Sequence, residues 1–199
     1  MTETLAGLAI GAIAGSIPFS WLLYRLRTGG DLRREGSGNP GATNLLRSAG
    51  IGWGLLGLAL DSGKGAAAVL LASPLGGEPA AVAAAVGAVV AHVYSPWLGG
   101  AGGKGVATAA GAFAVLAPVA DAAAALVFVI VVAATRLVAL GSVAGAGTLV
   151  IAAFLSGPSR IVAAVSLAIA ALIAWRHREN FARMRAGIEP RLGGRGDSR

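Results

Sequence analysis

Apolar runs close to twenty residues long follow one another along nearly the whole chain. They fall at about 4–24, 52–73, 79–98, 105–119, 121–138, 141–157 and 160–176. Helices of that length match the hydrocarbon thickness of a bilayer, about 30 Å at about 1.5 Å per residue. The expected class is therefore all-α: a polytopic transmembrane helical bundle. Only 13% of the residues are charged, where a soluble domain carries about a quarter. Mean hydropathy is +0.75. No stretch remains for a separate soluble domain, so residues 1–199 read as one integral-membrane domain.

Seven short spans with the N-terminus outside and the C-terminus cytoplasmic give the preferred topology. Five spans are the alternative, with 105–135 as one long helix and 137–158 as an external segment. Pro118 and Asp121 interrupt the long run and favour seven. Residues 5–23 lack a basic leader and are followed by Arg25 and Arg27, so they read as a retained helix rather than a signal peptide.

The net charge is +7. Its placement points to topology rather than to nucleic acid. Arg25, Arg27, Arg33, Arg34 and Arg47 share one polar segment. Arg176, Arg178, Arg183, Arg185, Arg191, Arg195 and Arg199 share the tail. Positive residues collect on cytoplasmic faces and meet anionic lipid there. Seven spans put these two groups, Lys104 and Arg136 inside, with Arg160 as the exception. Trp21, Trp53, Trp97, Trp175, Tyr24 and Tyr94 lie where apolar runs meet inferred cytoplasmic segments, as an inner-face aromatic belt would. Cysteine is absent, which excludes disulfides, thiolate metal sites and thiol catalysis.

Four polar constellations interrupt the oil. The first is residues 36–47, Gly-Ser-Gly-Asn-Pro-Gly-Ala-Thr-Asn-Leu-Leu-Arg. Gly36, Gly38 and Gly41 allow tight turns that bring backbone N–H groups near a ligand. Ser37, Asn39, Thr43 and Asn44 add neutral hydrogen-bonding groups, and Arg47 adds a charged fork suited to phosphate. The second is Asp61-Ser62-Gly63-Lys64-Gly65, set deep in an apolar run. Asp61 and Lys64 lie on one helix face. A structural ion pair and a substrate-facing role are equally compatible with that spacing. The third is His92 followed by Gly99-Gly100-Ala101-Gly102-Gly103-Lys104-Gly105-Val106-Ala107-Thr108, where glycine amides and Lys104 at a helix start suit a phosphate. It is not a nucleotide P-loop, because Leu98 stands where the first glycine belongs and Gly105 replaces the hydroxyl residue after the lysine. The fourth is Arg176-His177-Arg178-Glu179-Asn180 with Arg183, continuing to Gly187 and Glu189. His177 suits a general base or a hydrogen-bond donor.

Other chemistries lack their residues. The nine acids show no paired spacing for magnesium. His92 and His177 are the only histidines, too few for a typical zinc site. Neither is followed by an aspartate five places on, as in acyl-CoA-dependent acyltransferases, and no Gly-x-Ser-x-Gly elbow is present.

In this order the four motifs resemble the bacterial acyl-phosphate-dependent glycerol-3-phosphate acyltransferases. That pattern reads Gly-Ser-Gly-Asn-x-Gly-Ala-Thr-Asn-x-x-Arg, then Asp-x-x-Lys-Gly, then His with Gly-Gly-Lys-Gly-x-Ala-Thr, then His-x-x-Asn-x-x-Arg and Gly-x-Glu. Residues 36–47, 61–65, 92–108 and 177–189 carry it here. Gly100-Ala101 stands where an aromatic-basic pair is usual, Pro96 comes one place late, and Ala91 replaces a glycine.

The resemblance implies transfer of a fatty acyl group from acyl phosphate to glycerol 3-phosphate, giving 1-acylglycerol 3-phosphate and phosphate. That would be the first acylation of phospholipid biosynthesis, at the inner face of the bacterial cytoplasmic membrane. By the same resemblance, Arg47, Lys104, His177 and Asn180 bind the phosphates and the glycerol end. Ser37, with Asn39, Thr43, Asn44 and backbone amides, orients the acyl phosphate and stabilises the oxyanion. A substrate phosphate oxygen, rather than His177, is the favoured proton acceptor. Gly38, Gly41, Asp61, Lys64, His92, Gly102, Gly103, Gly105, Thr108, Arg183 and Glu189 complete the implied substrate-binding set. No cofactor, metal, nucleic acid or obligate protein partner is implied, only the substrates and membrane lipid. The rival reading is a transporter of a phosphorylated solute.

Overall fold

The computed structural model describes residues 1–156 and 159–193. Arg195, Arg199 and the last position of the run 141–157 lie outside the described residues. Helices and turns make up the described chain, which divides into two compact units, 1–116 and 117–199.

In the first unit α1 (Thr2–Ser16) stops ahead of Pro18, with Ile17 extended at φ −67° and ψ 117°. A residue before proline is pushed out of the helical region, so the apolar run 4–24 is broken rather than continuous. The chain resumes as α2 (Phe19–Thr28), which ends on Gly29 at φ 73°. A 3₁₀ turn at Leu32–Arg34, the short α3 (Ala42–Ala49), the long α4 (Ile51–Val93) and α5 (Val106–Leu116) follow.

The long α4 is a hairpin. Gly76 (φ −159°, ψ 28°) and Gly77 (φ 59°, ψ −145°) leave the helical region between Pro74 and Pro79. A straight helix would separate Lys64 from His92 by roughly 42 Å. Lys64 Nζ is instead 2.9 Å from His92 Nδ1. The arms 51–75 and 78–93 therefore run side by side, and they coincide with the separate apolar runs 52–73 and 79–98.

Small residues hold this unit together. A Cβ placed on Gly7, Gly11 or Gly15 would run into the backbone carbonyl of Ala80, Ala84 or Ala88. Both sets ascend together, so α1 lies parallel to the second arm. Gly65 sits against the Thr108 carbonyl and Gly111 against that of Ser62, which sets α5 antiparallel to the first arm. Ala68, Ala72, Ala80, Ala84 and Ala88 form one buried cluster under Ile10 and Ala14. Within lipid no hydrophobic drive pulls helices together, and close backbone approach through glycine and alanine takes its place. Leucines and isoleucines such as Leu5, Ile13, Leu70 and Leu71 point outward, where a bilayer would cover them.

The second unit holds α6 (Pro118–Thr135), α7 (Val138–Ser156), α8 (Arg160–Arg176) and α9 (Arg178–Arg185). Gly141 and Gly145 of α7 pack on Phe128 of α6. Ser159 caps α8 by accepting the Val162 N–H at 3.1 Å. The tail returns to α6: Leu192 N–H donates to the Arg136 carbonyl at 2.7 Å and Arg191 Nη1 to that of Thr135 at 2.9 Å.

Each of the seven apolar runs corresponds to a helix, a broken helix or a hairpin arm. The five-span alternative does not match in two places. Ala117 leaves the helical region at φ −149°, so 105–135 is not one helix. Residues 138–156 form a nineteen-residue apolar helix rather than an external segment. The expected run 105–119 gives the eleven-residue α5, about 16 Å long and too short to cross alone. Among the described residues, four helices are long and apolar enough to cross a membrane, or five if the bent α8–α9 pair counts as one span; the α4 hairpin counts once in that number.

Candidate active site

The loop before α3 is built around one side chain. Asn44, 1% exposed, donates from Nδ2 to the carbonyls of Leu32 (3.1 Å) and Glu35 (2.9 Å) and accepts the Ser37 N–H at Oδ1 (3.1 Å). Both amide hydrogens and the amide oxygen are thus engaged in folding the loop. Gly36 and Gly38 take φ 50° and 73°, the left-handed region that glycine enters without a Cβ penalty. A Cβ on Gly36 would also strike Asn44 Oδ1. Asn44, expected as a substrate contact, shapes the backbone that carries Ser37.

Ser37, Asn39 and Thr43 are half-buried beside this turn, and Gly38 is exposed. The Asn39 amide nitrogen lies 2.9 Å from where a Cβ on Gly41 would stand. Gly41 caps α3 by accepting the Asn44 and Leu45 N–H groups. Arg47 comes in the last turn of α3, half-buried, with Nε shielded from solvent.

The second glycine-rich loop, 94–105, is anchored at both ends. Gly102 N–H donates to the Val93 carbonyl and Gly103 N–H to that of His92, both at 3.1 Å. Ser95 Oγ donates to the Ser16 carbonyl at 2.7 Å, and Trp97 Nε1 to Ser16 Oγ at 3.1 Å. Gly99, Gly100 and Gly105 take φ 63°, 83° and 87°. Lys104 is half-buried two residues before α5 begins, and Gly105 accepts the Ala109 N–H at 2.8 Å. Thr108, 0% exposed, is on the first turn of α5.

Arg33 joins the two loops. Its guanidinium grips Asp31 (Nη2 to Oδ2 2.7 Å, Nε to Oδ1 3.1 Å) and donates from Nη1 to the Leu98 carbonyl at 3.3 Å. Trp21 Nε1 donates to Asp31 Oδ1 at 2.8 Å. The Arg33 side chain, with help from its own N–H and the Trp21 indole, holds the Asp31 carboxyl well below the usual carboxylate range against the opposing effect of burial. Asp31 in turn raises the Arg33 guanidinium above its ordinary value. Sequence reading placed neither residue in the site. An Asp-x-Arg pair at a turn is a weak local signal, and nothing in linear spacing points from Arg33 to Leu98.

Asp61, Lys64 and His92 form a buried polar knot, at 2%, 6% and 7% exposure. Lys64 Nζ is ion-paired with Asp61 Oδ1 (2.8 Å), lies 2.9 Å from His92 Nδ1 and donates to the Ile17 carbonyl (2.6 Å). Ser20 Oγ donates to Asp61 Oδ2 at 2.7 Å. Of the two roles left open by the sequence, this geometry is that of a structural ion pair, holding the α1–α2 break and the α4 hairpin together.

In the second unit His177 stands at the α8–α9 junction, 3% exposed, with Nδ1 2.8 Å from the Ile173 carbonyl. A carbonyl only accepts, so Nδ1 carries a proton. Glu189 binds Asn180 Nδ2 through Oε1 at 2.6 Å and Arg183 Nε through Oε2 at 2.8 Å. It ties both side chains of α9 to the segment that follows the helix. The Arg176 Nε atom is shielded from solvent.

Apolar helices long enough to cross a membrane, interrupted by glycine-rich polar loops, define a helical membrane protein. The family model described as glycerol-3-phosphate acyltransferase matches residues 5–187. A glycerol-3-phosphate acyltransferase from Synechococcus sp. (strain CC9902) is 42% identical over 199 residues, covering 100% of both chains. One from Myxococcus xanthus is 46% identical, covering 95% of this chain and 100% of its own. Among solved structures, PlsY (YgiH), described as an integral membrane glycerol 3-phosphate acyltransferase, superposes in its glycerol 3-phosphate form with a TM-score of 0.91, 34% identity and 96% of each chain covered. Its lysophosphatidic acid form gives 0.88, 33% identity, and 96% of this chain against 95% of that one. The chain belongs to the glycerol-3-phosphate acyltransferase family and is an all-helical membrane acyltransferase.

Proposed function

We propose that the enzyme transfers a fatty acyl group from acyl phosphate to the 1-hydroxyl of glycerol 3-phosphate. The products are 1-acylglycerol 3-phosphate (lysophosphatidic acid) and inorganic phosphate. The site faces the cytoplasm from the bacterial inner membrane, and residues 1–199 act as one domain, a reading supported by a family match that runs through both units. The observation that carries the proposal is the Arg33 bridge to the Leu98 carbonyl. It ties the loop that precedes α3 to the loop that leads to Lys104, which supports a reading in which Arg47 and Lys104 serve two phosphorylated substrates.

The glycerol hydroxyl oxygen attacks the acyl carbonyl carbon, a new C–O bond forms, and the bond to the phosphate oxygen breaks. The hydroxyl proton leaves on a substrate phosphate oxygen. An acyl phosphate is already activated, so the protein mainly positions the reactants and stabilises charge. Arg47 and Lys104 neutralise phosphate. Ser37, its neighbours Asn39 and Thr43, and the amides of the Asn44-shaped turn orient the acyl phosphate and its developing oxyanion. His177 and Asn180 bind the glycerol phosphate end, with Glu189 holding Asn180 in place.

Purified enzyme in lipid should release phosphate only when acyl phosphate and glycerol 3-phosphate are both present, and acyl-CoA should not replace the donor. Uptake of glycerol 3-phosphate into sealed vesicles without acylation would favour the transporter instead.

A further inference from the structure

The Asp61–Lys64–His92 knot reaches beyond helix packing to the loop that carries Lys104. His92 touches Gly103 twice. Its carbonyl accepts the Gly103 N–H at 3.1 Å. Its ring lies so close that a Cβ on Gly103 would strike Nε2. On the opposite edge of the ring, Nδ1 is 2.9 Å from Lys64 Nζ and 3.9 Å from Asp61 Oδ1. The Lys64 ammonium, ion-paired to Asp61 at 2.8 Å, can only donate. A proton on Nδ1 would set two donors against each other, so Nδ1 must be the acceptor. In a neutral imidazole the proton then sits on Nε2, the atom that faces Gly103.

We propose that Lys64 fixes His92 as the neutral Nε2–H tautomer, and that His92 so held is a positioning residue for the glycine-rich loop 99–105. Asp61 acts one step further back, holding the ammonium against the ring while its other oxygen takes the Ser20 hydroxyl. The chain of contacts runs from the α1–α2 break, through Ile17 and Ser20, across the α4 hairpin to Gly103 and its neighbour Lys104. Its catalytic consequence rests on the acyl-transfer reading; the tautomer does not.

The two histidines of the chain make the tautomer directly readable. Nitrogen-15 NMR of histidine-labelled full-length enzyme, with His177→Gln used to assign the signals, should show Nδ1 of His92 unprotonated and Nε2 protonated. A proton on Nδ1, or on both nitrogens, overturns the proposal whatever the activity. Because Lys64→Met alone would strand a buried carboxylate, the double variant Asp61→Asn/Lys64→Met is the test of coupling. In folded double variant the His92 signature should change, and the Kd for inorganic phosphate and the KM for the phosphorylated substrates should rise on the order of tenfold. His92→Gln, whose amide N–H can stand where Nε2–H stands, should keep more kcat/KM than His92→Phe. An unchanged tautomer and unchanged phosphate affinity in the double variant, or equal kcat/KM for the two His92 variants, would refute the positioning role. Absence of turnover in wild-type enzyme with acyl phosphate would instead fault the reaction assignment and leave the NMR result standing.

Discussion

At the scale of single residues, two cations and one acid make separable predictions. Arg47 and Lys104 are each half-buried, and in the proposed reaction partial desolvation strengthens a charge-assisted bond to phosphate. Arg47→Ala and Lys104→Ala should each lower kcat/KM by about 100-fold or more while the protein stays folded; near-normal turnover by either would remove that residue from the site. Asp31 acts through structure. Its carboxyl titrates below the ordinary range in the folded protein, so its stabilisation is complete above the unfolded value near 4 and fades as the pH drops further toward the folded value. The Arg33 side chain is 37% exposed, which keeps the gain at the surface scale of about 1 kcal/mol or less. Asp31→Asn should therefore lower Tm at pH 7 by a small amount, and the gap to wild type should narrow as the buffer falls below about pH 4. A gap that is constant with pH would mean that the carboxylate charge is not what matters.

At the scale of elements, glycine decides which helices touch. Gly7, Gly11 and Gly15 meet backbone carbonyls of the second α4 arm with no room for a side chain. Gly11→Leu should push α1 away from that arm and destabilise the protein by roughly 1–3 kcal/mol, read as a loss of Tm in detergent. Leu5→Ala, on the outward face, is the control and should change Tm far less. The break between the runs 52–73 and 79–98 was legible because Pro74, Gly76, Gly77 and Pro79 crowd one short stretch. That these two runs pair face to face was not. The 2.9 Å approach of Lys64 to His92 and the alanine cluster drawn from both arms show it. The same hairpin explains how a lysine deep in an apolar run is tolerated: a charge there is expensive unless it is paired, and its partners come from 3, 28 and 47 positions away.

At the scale of the whole molecule, the proposed topology places the N-terminus outside, the loops at 29–41 and 94–105 inside, and the Gly76–Gly77 turn outside. The chain has no cysteine, so single cysteines report sidedness without a background. A membrane-impermeant maleimide should label Gly77→Cys in right-side-out vesicles and Arg34→Cys only in inverted ones. The reverse pattern would invert the orientation and put the cationic loops away from a cytoplasmic substrate.

The sequence by itself determined the class of protein and the identity of its polar motifs. Runs of apolar residues leave lipid as the only consistent solvent, and glycine beside Ser, Asn, Thr and a fixed cation has few uses there other than gripping an anion. Tertiary structure alone decided which partners several of the polar residues meet. Asn44 could face a ligand or its own loop, and its three hydrogen bonds turn it inward. Asp61 and Lys64 could meet substrate or each other, and burial pairs them. Arg33 carried no motif, yet it fastens one loop to the other through Leu98. Periodicity and composition are properties of neighbours along the chain, whereas a hydrogen bond is settled by whichever donor and acceptor the packed helices bring within 3 Å or so of each other.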